Sequence, residues 1–280
     1  MTWREFRALT LREIRHWLRI PTAIISSFMM PFFYLLLFGQ AFNLGKFLPS
    51  QGGATNPLVL AAFSGAPSYY SYFSVGMVGF VVLFSSLFAG ANVIFDRRLG
   101  YVKKVAVAPV GRTLILGSRL VASVLRGILL GAVVFLVALA FARIPGLDGL
   151  TVTATVTPLG LLEIFLAMVF LSAGFTSVFL AIGFLLEQVD SYFAIINLIN
   201  LPVLFSSDAL APQSVMPGWL RTISNGNPVT LAVDVMRENL FPSASYYAYG
   251  PLVYLGILFA VAVALTALSV ALTRQALAPR

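Results

Sequence analysis

The chain alternates long apolar runs with short polar interruptions rich in Gly and Pro. Apolar residues dominate 23–42, 73–95, 114–141, 158–186, 191–205 and 246–272, and most of these runs reach the roughly 20 residues an α-helix needs to cross a bilayer. The pattern predicts an all-α membrane protein with six transmembrane helices, residues 1–280 forming one transmembrane domain. Pro31 lies inside the first run and is expected to kink it. The second run carries Gly76, Gly79, Ser85, Ser86 and Gly90, small residues that let helices approach closely, so it is expected to be packed inside the bundle. The fifth run is short and contains Asn197, Asn200 and Pro202.

The connections differ in character. Gly45 to Ser71 reads as an irregular loop with room for a short helix at Leu58 to Phe63, and Arg143 to Thr157 as a loop or short exposed strand. Residues 208–245 are too polar for a membrane centre yet keep helical periodicity, which predicts short helices on or dipping into the outer face. Within them Asn227 suits a helix cap and Pro228 the first helical position. Thr230, Asp234, Arg237 and Glu238 form a polar stripe there. Residues 2–20 read as an amphipathic helix in the interface plane. Arg4, Glu5, Arg12, Arg15, His16 and Arg19 share one arc, Trp3, Phe6, Leu9, Ile14, Trp17 and Leu18 lie opposite, and Arg7 and Glu13 break the pattern.

Composition narrows the class. A charged fraction of 10% and a mean hydropathy of +0.94 rule out an ordinary soluble domain. The net charge of +8 sits in clusters flanking apolar runs, as orientation signals do, and implies the bilayer rather than nucleic acid. With both termini on one side, that side receives Arg4, Arg7, Arg12, Arg15, Arg19, Arg97, Arg98, Lys103, Lys104, Arg112, Arg274 and Arg280, against Lys46, Arg143, Arg221 and Arg237 opposite. This bias predicts cytoplasmic termini in a plasma membrane. No cleavable signal segment is evident, so Met1 onward reads as the mature chain.

Catalytic and metal signals are absent. There is no Cys, His16 is the single histidine, and the acidic residues are scattered, with Glu163 alone expected at membrane depth. No HExxH or nucleophile elbow occurs, and GQAFNLGKF at Gly39 to Phe47 fails the phosphate-loop spacing. The expectation is a non-enzymatic chain with no catalytic, metal or cofactor-binding residues. Arg119 and Arg126 are the charges inside apolar runs, seven residues apart and so on one helix face. Arg119 can snorkel to the inner interface. Arg126 lies either near a headgroup or in a cation-lined path or anionic-lipid site.

The interruption at 96–112 is the most distinctive. From Arg97 a helix puts Leu99, Val102, Val105 and Ala106 on one face and Arg97, Tyr101 and Lys104 around the other, until Pro109 stops it. Periodicity alone leaves two readings open, an orientation signal and a docking helix.

Two windows carry a resemblance. FDRRLGYVKKVAVAPVGRTLILGSRLVASVLRG at Phe95 to Gly127 and LPVLFSSDALAPQSVMPGWLRTISNGNPVTLAVDVMR at Leu201 to Arg237 resemble signatures of type-2 ABC exporter permeases, most of all the daunorubicin-resistance branch. The resemblance implies an interfacial N-terminal helix, six spans, re-entrant helices before the last one, and a dimer of permeases working with two ABC ATP-binding subunits that carry ATP and Mg. It makes 96–112 a coupling helix, with Arg97, Arg98, Gly100, Lys103, Lys104, Pro109 and Arg112 as docking residues. Relatives often place a Glu near Arg98 and a small residue at Asp208, two points where this chain departs.

The function implied is export of an amphipathic drug, lipid or lipid-linked compound. Cargo would meet Phe28, Phe32, Phe73, Phe84, Arg126, Phe193 and Asn197. A second copy of the chain and a homologous permease are both open as the dimer partner. A polysaccharide or glycolipid exporter, an ion-coupled secondary transporter and an intramembrane enzyme are the other readings. The secondary transporter lacks a membrane-depth relay of acids, and the enzyme lacks catalytic residues.

Overall fold

The computed structural model describes residues 3–19, 21–41, 57–100, 112–241 and 249–276, all helical or irregular with no strand among them. The helices are α1 (Trp3–Leu18), α2 (Pro21–Phe33), α3 (Pro57–Ala62), α4 (Tyr69–Arg98), α5 (Arg112–Phe141), α6 (Pro158–Leu185), α7 (Val189–Phe205), α8 (Gly218–Asn225), α9 (Pro228–Leu240) and α10 (Pro251–Ala276). Four of them, α4, α5, α6 and α10, are long and apolar enough to cross a membrane, while Ser27–Ala41 and Val189–Phe205 are apolar but shorter. Beyond Pro31, α2 passes into a π-helical stretch, Tyr34–Phe38, before one last turn at Gly39–Ala41. The disturbed ladder re-forms with longer bonds, the Gly39 N–H reaching the Tyr34 carbonyl.

The centre of the bundle is α4, 78% of whose apolar stretch is buried, against 22% for α10 at the periphery. Its small residues explain the position. A Cβ on Gly76 would strike the Ala209 backbone, one on Gly79 the Val233 side chain, and one on Gly90 the Phe179 carbonyl of α6. Helices α5, α6, α7 and α9 all pack on α4, and α10 packs on α6 and α9. Hydroxyls stitch the middle: Ser86 lies 3.3 Å from Ser172, and Thr176 donates to Ser123 at 3.1 Å.

The connections refine the expected layout. Residues 143–157 form a loop rather than a strand, because their backbone bonds go to helix ends: the Leu150 N–H to Ala138 and those of Thr153 and Ala154 to Leu240. Ser68 and Thr157 cap α4 and α6 through their side chains. Asn227 caps α9 as its sequence position requires, with Pro228 next. The polar stripe of α9 points inward, since Thr230, Asp234 and Arg237 are all buried. In α1 the buried residues are Thr10 and Glu13, so the acid that broke the sequence pattern faces the bundle.

Candidate functional site

At the base of the bundle α4 ends in Phe95-Asp96-Arg97-Arg98, then Leu99 and Gly100. Gly100 takes φ +70 with open space around it, so glycine serves here to turn the backbone out of the helix. The two residues before the end point inward. Asp96 forms an ion pair with Arg119 of α5 and lies 3.5 Å from Arg12 of α1. Glu13 of α1 adds contacts of 2.8 Å to Arg12 and 3.8 Å to Arg119. Arg97 donates to the carbonyls of Phe184 at 2.8 Å and Leu186 at 3.2 Å, satisfying the frayed C-terminal end of α6. Two consecutive residues thus tie the ends of four helices together.

Two turns beyond Arg119 along α5, Arg126 is buried with its guanidinium 5.7 Å from the Trp17 ring of α1. The Phe6 ring lies 3.6 Å from the Cβ position of Gly117, which lets α1 lie close on α5. On its outward side α1 borders a groove of about 490 Å³ lined by Ala8, Leu11, Arg12, Arg15, His16 and Arg19.

The docking residues read from the sequence separate in the structure. Arg98 is exposed, Arg97 is half-buried and bound to α6, and Gly100 terminates α4. Arg112 opens α5. The helix expected from Arg97 does not begin there, since Arg97 and Arg98 are the last residues of α4 and the chain leaves the helix at Leu99 and Gly100; its remainder, with Lys103, Lys104 and Pro109, lies outside the described residues. Asp96, Glu13 and Trp17 were missed as site residues. Their signals were an acid just ahead of the basic run and an acid that spoils the α1 pattern.

A second charged cluster closes the other end. Arg237, 0% exposed, pairs with Asp208 at 2.7 Å, donates to the Tyr72 carbonyl at 3.1 Å and sits 3.4 Å above the Tyr72 ring. The Tyr72 hydroxyl donates to the Asp208 carbonyl at 2.6 Å, and the Asp208 N–H to Thr230 at 3.1 Å. Asn227 donates to the Val203 carbonyl at 2.6 Å, fastening α9 to the end of α7. Nearby, Asn239 donates to buried Glu163 at 2.9 Å. Burial, with Glu163 as neighbour, pushes the Glu238 carboxyl up to about 7.

The profile of the ABC-2 type transporter family matches residues 4–241, which takes in both charged clusters. The chain belongs to the ABC-2 type transporter family. It is 31% identical over 222 residues to the transport permease ycf38 of Cyanophora paradoxa, covering 78% of this chain and 68% of that protein. The corresponding protein of Pyropia yezoensis is 32% identical over 83% of this chain and 72% of its own length. The daunorubicin resistance ABC transporter permease protein DrrB1 of Streptomyces coeruleorubidus is 23% identical over 82% and 72%.

In this ABC-2 chain the aromatic cargo candidates do not form one chamber. Phe28 and Phe32 lie 5.7 Å apart along α2 with tilted rings, Phe32 is 6.0 Å from Phe141, and Phe84 packs on Phe80 at 4.3 Å. Phe73 is buried against Tyr69, Phe193 is half-buried on α7, and Asn197 is exposed. A cavity of about 450 Å³ lies elsewhere, between α4, α5, α6 and α9. Its wall includes Val75, Val78, Phe135, Met168, Met236 and Leu240 and none of the seven cargo candidates. Among the described residues no group of His, Asp or Glu could hold a metal ion.

Proposed function

We propose that this ABC-2 permease is the membrane-spanning subunit of an ATP-driven exporter, with six spans and both termini in the cytoplasm of a plasma membrane. A separate ABC subunit hydrolyses ATP, and two permeases form the pore, a second copy of this chain or a homologue. The cargo is an amphipathic drug, lipid or lipid-linked compound. A docked 96–112 segment would move the end of α4, and Asp96 and Arg97 would carry that motion into α1, α5 and α6 as a shift of packed helices. The observation that supports this most is the double tie itself, the Asp96–Arg119 pair beside the Arg97 bonds to α6.

On this reading the basic residues divide the labour. Arg98 is exposed and available to an acidic partner surface, while Arg97 is spent on α6. The test is co-purification of the permease with its ATP-binding subunit, followed by ATP-driven export in proteoliposomes. Arg98→Glu with Lys104→Glu should abolish the complex while leaving the permease folded. Survival of complex and export in that variant contradicts docking through this segment.

A further inference from the structure

The outer cluster holds more acid than its cation can balance. Among the described residues Arg237 is the single cation paired with acid here, and it faces two carboxyls, Asp208 at 2.7 Å and Asp234 at 3.9 Å. All three residues are buried, at 0%, 3% and 4% exposure. Asp208 spends Oδ2 on Arg237, and its Oδ1 and the Oδ1 of Asp234 are buried with no N–H or O–H donor among the described residues. With both acids ionised the site would carry a net negative charge shut away from water, where an unbalanced charge is strongly disfavoured.

We propose that Asp208 and Asp234 bind one proton between them, forming a proton site that locks α9 to the turn after α7. A carboxyl and a carboxylate sharing a proton satisfy both orphaned oxygens and leave a neutral cluster with Arg237. Burial first, and then Asp208, raise Asp234 well above the usual carboxylate range, in the same direction. Around the pair stand Tyr72 and Tyr69 of α4, the hydroxyls of Thr230 and Ser224, and Glu238 one turn along α9, with Glu163 of α6 facing Glu238. Helix α10 has no charged residue before Arg274. Among the described residues Arg237 is the one cation paired with these two acids.

The proton has structural work to do. Asp208 follows α7, its carbonyl and N–H are held by Tyr72 and Thr230, and Asp234 lies on α9. Removing the proton places two anions side by side across that joint. The site is independent of the cargo and of how ATP hydrolysis is coupled.

The test is infrared difference spectroscopy in H₂O and D₂O on the purified full-length chain in lipid nanodiscs, recorded above the titration of Glu238. The wild type should show the C=O stretch of a protonated carboxylic acid. That band should vanish in Asp234→Asn, which stays folded because the amide donates to Asp208 as the acid did. It should also vanish in Asp208→Asn, where the remaining carboxylate pairs with Arg237. Thermal melts give a second reading: above the titration of Glu238, wild-type stability should continue to fall with pH and that of Asp234→Asn should not. A wild type without the band, a band that persists in both variants, or an Asp234→Asn chain that cannot fold overturns the proposal.

Discussion

Asp96 and Arg119 form an ion pair that bridges the two helices flanking segment 101–111, the end of α4 and the first turns of α5. Both are mostly buried, at side-chain exposures of 16% and 5%, so water screens the pair weakly. Arg12 and Glu13 extend it into α1. Under the proposed docking of 96–112, a displacement of the end of α4 would reach α1 through charge as well as packing.

Loss of Asp96 should release α1. Asp96→Asn leaves Arg119 with Glu13 at 3.8 Å as its remaining acid, and breaking a buried pair costs about 3–5 kcal/mol when one charge is stranded. The surviving Glu13 contact places the effect at or below the low end of that range. Amide hydrogen exchange should speed up in α1 and the start of α5, with α10 unchanged.

Arg237 should be the least replaceable charged residue in the chain. Arg237→Met removes the partner of Asp208 and the cation over Tyr72, with an expected loss of about 3 kcal/mol or more. Asp234→Asn should lie within about 1 kcal/mol of wild type, since the amide keeps the shape and supplies a donor. Thermal unfolding in lipid nanodiscs separates the two.

Close packing at α4 gives a steric prediction. A methyl on Gly90 meets the Phe179 carbonyl and Tyr192, whereas one on Gly256 of α10 meets nothing within 4 Å. Gly90→Ala should lose about 1–3 kcal/mol through overpacking. Gly256→Ala should be neutral or slightly stabilising in a melt.

Glu238 supplies a pH dependence. Its carboxyl is raised from 4.5 to about 7 by burial and then by Glu163, so the folded chain binds its proton more tightly than the unfolded chain. The contribution to stability is complete below about 4.5 and is lost as pH rises through about 7. Glu238→Gln should flatten the melting temperature across that window. An unchanged slope contradicts the assignment.

Much of the frame was legible in the sequence because the membrane imposes it. Long apolar runs must become helices where backbone groups have no other partner, and α4, α5, α6 and α10 followed from run length alone. The small residues of the second run foretold the buried α4, and Asn227-Pro228 fixed the start of α9. Which charges face inward was not legible. Glu13 and Asp96 are isolated acids in basic surroundings, and only the approach of α1 to α4 and α5 makes them partners. Arg237 and Asp208 lie 29 residues apart on different elements, joined by a fold that periodicity does not encode. Of the two readings left open for 143–157, loop or short strand, the loop is the one found, because Thr153 and Ala154 donate to the Leu240 carbonyl at a helix end rather than along a strand.

The most direct test of the central claim is export per ATP hydrolysed in the assembled transporter carrying Asp96→Asn. The complex should still form, because Arg98 and Lys104 are untouched. Export per ATP should fall roughly tenfold, equivalent to about 1.4 kcal/mol of lost coupling. A wild-type ratio in that variant would contradict transmission through the Asp96–Arg119 pair.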